Sequence, residues 1–235
     1  MNNVFNTCSN LTTLDVSNWD TSMVINMGGM FNGCSGLTTL DVSNWVTSKV
    51  DNMGSMFLGC QNLTTLDVSK WKTSKVTNMN TMFLGCRNLT EIIGMDEWYC
   101  PALTGVGSMF QNSGVTRVDA SSWKRGENGE AAIKELYSFS NNGVMLYLDI
   151  SGWTITSTNF AYFLTGSLTT LKWSNWSHTI NISHLTNLTA ESVSGLLANL
   201  ATVEDGQTLT IGTTNIAKVT DDEIRAATRK GWTIA

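Results

Sequence analysis

The sequence is poor in proline, in histidine and in charge. Pro101 is its single proline, and His178 and His184 are its only histidines. Two isolated histidines are too few for a metal centre or for acid–base work. Charged residues make up 14% of the 235, well below the quarter usual in soluble domains. Net charge is −5 and no basic run stands out, which excludes the electropositive face that nucleic-acid binding needs. No apolar run approaches the roughly eighteen residues of a membrane span. The N-terminus lacks the basic-then-apolar pattern of a secretory signal. No Gly-x-Ser-x-Gly, Walker A or dinucleotide fingerprint occurs, so neither catalysis nor a cofactor is expected. Nine Trp, eight Phe and eleven Met need burial, which excludes a disordered chain.

What is abundant is internal repetition. Phe5, Phe31, Phe57 and Phe83 recur at steps of 26 residues, as do Cys8, Cys34, Cys60 and Cys86. Leu11, Leu37, Leu63 and Leu89 keep the same step, with Trp19, Trp45 and Trp71, and with the methionine rows that begin at Met27 and Met30. Later copies keep a looser phrase, apolar-x-x-apolar-x-apolar-x-x-Trp, ending at Trp98, Trp123, Trp153 and Trp176. The copy ending at Trp98 carries one extra residue, and Arg125–Glu130 reads as a loop insertion.

Each copy splits into two periods. Leu14-Asp15-Val16-Ser17 alternates as a strand does. Met27, Met30, Phe31 and Cys34 have the i, i+3, i+4, i+7 spacing of a short amphipathic helix. The spacing recurs at Ile133, Leu136, Tyr137 and Ser140, and at Phe160, Phe163, Leu164 and Ser167. One copy buries too few apolar side chains to offset the entropy of ordering it, so neighbouring copies must share a core. The expected fold is α/β: a leucine-rich-repeat solenoid of about seven coils over residues 1–180, with one parallel sheet and short helices or turns opposite it.

A capping region continuous with it is expected over residues 181–235. Val193, Leu196, Leu197 and Leu200 form an apolar helical stripe. Thr220 and Glu223 make a capping box, and Gly231 sits where that helix ends. The other end starts inside a helical turn with no cap, which predicts preceding repeats, a partner there, or self-association through an open edge.

Phe5-x-x-Cys8-Ser9-x-Leu11-Thr12-x-Leu14-Asp15-Val16-Ser17-x-Trp19-Asp20-Thr21-Ser22 resembles the repeat of the BspA-like leucine-rich-repeat family. Gly206–Gly212, Ile216-Ala217-Lys218-x-Thr220-Asp221 and Lys230–Thr233 are similar to caps on such arrays. The resemblance implies a bacterial surface or secreted protein that adheres to host or neighbouring-cell proteins, or a tail component of a bacterial virus. It carries no catalytic motif. It also implies that tryptophan replaces the usual asparagine ladder, so that packing, rather than side-chain amide bonds, holds the corner.

Strand alternation turns Leu14 and Val16 inward and Asp15 outward. The outward rows then hold Asp15, Asp41 and Asp67, followed by Ile93, Arg117, Asp119, Tyr147, Asp149 and Lys172. Carboxylates about 4.8 Å apart repel by only ~1 kcal/mol in water-like surroundings, so the Asp row requires no cation. It reads as a solvated ladder, while a calcium site would need six to eight oxygens. The mixed set Arg117, Asp119, Tyr147, Asp149 and Lys172 reads as a recognition patch for a protein or cell-surface ligand. A spacer role and a carbohydrate-binding surface are the alternatives. The in-register cysteines read as a buried thiol row rather than as disulfides or a metal site, and Cys100 as a loop thiol. The Asn-x-Ser/Thr sequons, at Asn62 and Asn88 among others, follow the repeat's wording.

Overall fold

The computed structural model describes residues 1–123, 139, 142–153, 164, 166–204 and 206–235. The loop expected at Arg125–Glu130 lies outside them, as do Ile133, Leu136, Tyr137, Ser140, Phe160 and Phe163.

A leucine-rich-repeat solenoid with one continuous sheet is not what forms, and that expectation is corrected. The strands fall into three small parallel sheets. β1 (Thr65–Asp67) pairs with β2 (Glu91–Ile93). β3 (Arg117–Asp119), β4 (Tyr147–Asp149) and β5 (Thr170–Lys172) form the second sheet. β6 (Ile180–Asn181), β7 (Gln207–Thr210) and β8 (Trp232–Ile234) form the third. Residues 13–17 and 39–43, expected as strands, are irregular. Among the described residues the α-helices are α1 (Ala190–Ala198), α2 (Gly212–Ile216) and α3 (Asp221–Arg229), and Met95–Glu97 form a 3-10 turn.

The expected helix at Met27–Cys34 fails for a hydrogen-bonding reason. The segment contains two tandem turns, closed by Met30 N–H on the Met27 carbonyl and Cys34 N–H on the Phe31 carbonyl, with Asn32 N–H on the Gly29 carbonyl between them. Gly29 (φ 62°) and Gly33 (φ 74°) hold the third position of each turn, where a type II turn needs positive φ. The alternate N–H groups of Met27, Gly29, Phe31 and Gly33 leave the copy and donate to the carbonyls of Asn52, Gly54, Met56 and Leu58 at 2.7–2.9 Å. Met53, Ser55, Phe57 and Gly59 do the same to the copy after. A helix needs those donors for its own i−4 carbonyls. The helical spacing persists because two tandem turns also bring Met27, Met30, Phe31 and Cys34 to one buried side.

The breaks between sheets have local causes. Gly94 stands where Val16, Val42 and Val68 stand in earlier copies. Its φ is 82°, and it packs so closely that a Cβ would lie 2.2 Å from Ser69 Cα. The chain therefore turns into Met95–Glu97, and β2 does not pair with β3. The second sheet ends at α1, where Ser192 Oγ accepts from Leu171 N–H (3.0 Å) and donates to the Leu171 carbonyl (3.1 Å).

Side chains keep the register between copies. Phe5, Phe31, Phe57, Phe83, Phe110 and Phe139 stack at 5.6–5.7 Å. The corner is not held by packing alone. Trp45 Nε1 donates to the Val16 carbonyl and Trp71 Nε1 to that of Val42, each at 3.1 Å. The extra residue near Gly94 displaces this pattern, and buried Trp98 Nε1 has no partner among the described residues. Elsewhere in the copy, the backbones of Asn26, Asn52 and Asn78 bridge one another, and Asn78 Nδ2 donates to Asn52 Oδ1 at 3.0 Å. Thr21, Thr47 and Thr73 form a buried hydroxyl row. Cys100 is no loop thiol: it takes the next place in that row, buried, with its Sγ 3.3 Å from Thr73 Oγ1. Cys34, Cys60 and Cys86 are buried free thiols that donate to the carbonyls of Phe5, Phe31 and Phe57. In the last part, Thr220 and Glu223 form the capping box of α3, and Gly231 ends it at φ 92°.

A Cβ on Gly59 would meet nothing closer than 3.8 Å, so Gly59→Ala tests backbone conformation alone. It should lower unfolding free energy by about 1–2 kcal/mol. Gly54→Ala should cost more, because its Cβ would lie 2.7 Å from Asn78 Nδ2. Denaturant melts of the two variants rank them. Burial pushes the thiols of Cys34 and Cys100 up to about 11 and that of Cys86 to about 12, and raises Cys60 as well. Exposed Cys8 should therefore react with a disulfide reagent in the native protein, and the other four only on unfolding.

Candidate functional site on the outward strand face

Parallel register places the outward side chains in two rows. Thr65 lies beside Glu91, and Arg117 beside Tyr147 and then Thr170. In the second row Asp67 lies beside Ile93, and Asp119 beside Asp149 and then Lys172. The sheet break divides these residues into two sets. Asp15, Asp41 and Asp67 stand together on one side, and Arg117, Asp119, Tyr147, Asp149 and Lys172 on the other.

The first set is locally satisfied. Asp15 Oδ1 accepts from Ser17 Oγ (2.6 Å) and Ser17 N–H (3.0 Å). Asp41 and Ser43 repeat the bond, and so do Asp67 and Ser69. Each aspartate thus caps the turn that ends its segment, a side-chain mimic of a backbone turn. The serine hydroxyl, and then its N–H, hold all three carboxyls below the ordinary 3.8. Sequence reading found the row but missed this role, although the recurring Asp-x-Ser carries the signal. Among the described residues, no three His, Cys, Asp or Glu side chains are grouped to hold a metal ion.

The second set is a connected cluster on β3–β5. The Arg117 guanidinium lies 3.7 Å above the Tyr147 ring and pairs with Asp119 at 3.0 Å. Lys172 Nζ is 5.4 Å from the same ring and 3.9 Å from Asp149 Oδ2. Asp149 is buried, with Oδ1 bonded by Ser151 N–H and Oγ and Oδ2 facing the Tyr147 hydroxyl at 3.3 Å. The Tyr147 hydroxyl, then Asp149 and Asp119, hold the Lys172 ammonium above its ordinary 10.5. Arg117 and Lys172 keep side-chain exposures of 56% and 53%, so the cluster offers two cations on a floor fixed by a buried carboxylate.

Two clefts flank it. One of about 450 Å³ fills the sheet break, between Glu91, Ile93, Asp96, Glu97 and Arg117. The other, of about 560 Å³, lies where β5 meets α1. Sequence reading missed both, because a break in pairing and a helix wall leave no repeat signature.

These features define a protein of stacked 26-residue copies that presents a fixed side-chain face. Residues 1–124 match the family described as "Mycoplasma protein of unknown function, DUF285", more than half of the chain, and the chain belongs to that family. It is a family associated with BspA-like repeat proteins, and no leucine-rich-repeat model itself matches. No curated protein matches the chain. Among the described residues, no helix is long and apolar enough to cross a membrane.

Ser43→Ala should return the Asp41 carboxyl towards 3.8 in an NMR titration. A folded-state value below the unfolded one adds stability above the unfolded value, and that stability is lost as pH falls through the folded one. Acid unfolding of Ser43→Ala should therefore depend less on pH below about pH 4.

Proposed function

We propose that the protein is a non-catalytic binding protein of the cell surface or extracellular space. It engages a protein or cell-surface ligand through the outward face of β3–β5, in the manner of BspA-like surface proteins. The observation that carries this reading is the Arg117–Tyr147–Lys172 cluster, two exposed cations about one aromatic ring on a hydrogen-bonded sheet. Arginine and tyrosine dominate binding energy at protein interfaces. Here their rotamers are set before a partner arrives, which lowers the entropy cost of association. A second reading, a spacer, is favoured for the first three copies, whose Asp–Ser pairs satisfy one another.

Purified protein would be tested against arrayed matrix proteins and intact bacterial cells. A saturable partner should lose about tenfold or more in affinity with Arg117→Ala or Tyr147→Ala, and Asp41→Ala should leave it unchanged. Binding that survives both substitutions would move the site elsewhere, and no binding at all would favour the spacer.

A further inference from the structure

The cleft beside α1 differs from the rest of the face. The sheet provides its floor through Tyr147, Thr170, Lys172 and Ser174. Its wall is one side of α1, where Glu191 and Gly195 follow at i and i+4, with the C-cap residue Asn199 one turn further on. The volume of about 560 Å³ falls within the roughly 300–1,000 Å³ of small-molecule sites.

Gly195 keeps the wall of this cleft open. It lies inside α1, where glycine costs about 1 kcal/mol against alanine. Two constraints usually explain such a glycine, positive φ or close approach by a neighbour. Gly195 shows neither: it is absent from the positive-φ residues, and a Cβ there would meet nothing within 4 Å. What the missing side chain leaves is open space along the wall. A Cβ added there would project into that open space.

The lining indicates what the space holds. Lys172 lies over a carboxylate that Ser151 and Tyr147 already bond, and at 3.9 Å it makes no hydrogen bond to it. Beyond its bond to the Tyr147 hydroxyl, the three-donor ammonium keeps donors for a ligand. Glu191 is an exposed acceptor with no cation beside it among the described residues. One cation and one anion at the rim, with hydroxyls between, suit an uncharged ligand that both donates and accepts. A strongly acidic ligand would meet Glu191, and a strongly basic one Lys172. The apolar part of the lining, Leu171 and Trp173, is buried and offers no pocket for the apolar anchor of a peptide. The Tyr147 ring is already flanked by Arg117 and Lys172, so recognition falls to hydrogen bonds at the wall.

We infer that the cleft between β5 and α1 binds a neutral sugar unit, whose hydroxyls donate to Glu191 and to the Asn199 amide oxygen and accept from Lys172; the Asn199 Nδ2 itself donates to the Gly195 carbonyl at 2.8 Å. This rests on the reading that the face binds, and it gives one part of that face a ligand class.

The test is a titration of the ¹⁵N-labelled full chain with methyl glycosides of glucose, galactose, mannose and N-acetylglucosamine. D-glucuronate and an acidic and a basic tripeptide serve as comparisons. At least one neutral glycoside should give saturable shifts confined to residues 170–174 and 189–199. Glu191→Ala should weaken it about tenfold, the worth of a hydrogen bond to a charged group. Gly195→Leu should abolish it while raising the melting temperature, because it fills the cleft and improves the helix. Asp41→Ala, outside the cleft lining and bonded only to its own Ser43, should leave it unchanged. Four results would overturn the inference: no shift by any glycoside up to about 50 mM, shifts that persist in Gly195→Leu, a tripeptide that binds these residues more tightly, or a preference for glucuronate. A protein partner that needs Arg117, together with no glycoside binding, would remove the sugar site and leave the binding reading intact.

Discussion

The structure depends on the transfer of backbone hydrogen bonds from within a copy to between copies. In the turn segment every second N–H reaches the next copy, from Met27 to Asn52 and on through Gly33 to Leu58. The bond geometry fixes the register, and the register brings like side chains together. Phenylalanine stacks on phenylalanine, thiols line up behind them, and buried threonine hydroxyls bond the next copy's backbone. A single copy has none of these partners, so stability is shared across the stack rather than held within any one unit.

The outward face changes character where the repetition weakens. The first copies keep Asp-x-Ser, and each aspartate is occupied by its own serine. From β3 onward Arg117 and Tyr147 replace the threonines and Lys172 the aspartate, while Asp119 and Asp149 still bond Ser121 and Ser151. The turn-capping role is thus retained beneath a new surface. The break at Gly94 and the helix α1 bound this altered region on both sides, and each border carries a cleft.

The core was legible in the sequence because repetition exposes burial directly. Phe31, Met53, Cys60 and Leu63 sit where their rows predict, fully or almost fully buried. The capping box at Thr220 and Glu223 was legible because it is local chemistry at fixed spacing. The tandem turns were misread as helices because both conformations bury the same four positions. Only the destination of the N–H groups separates them, and apolar spacing says nothing about donors. The break between the first two sheets turns on one glycine and one inserted residue, visible in the sequence only as an irregularity of the repeat, and the second break on α1, which lies outside the repeat. The Arg117–Tyr147–Lys172 patch was visible as outward positions, but its buried carboxylate and the wall of α1 come from contacts between distant segments.

The turn ladder has a direction. In each copy the carbonyls of the paired peptides face the preceding copy and the N–H groups face the following one, as at Gly28, Met30 and Asn32 and at Gly29, Phe31 and Gly33. The peptide dipoles therefore add along the stacking axis, as they do along a helix, with the negative pole towards the lower residue numbers. Bonds in such a series polarise one another. Two faces of the same kind would oppose carbonyl to carbonyl, so copies joined through this ladder can join only head to tail. A symmetric dimer would have to use another surface.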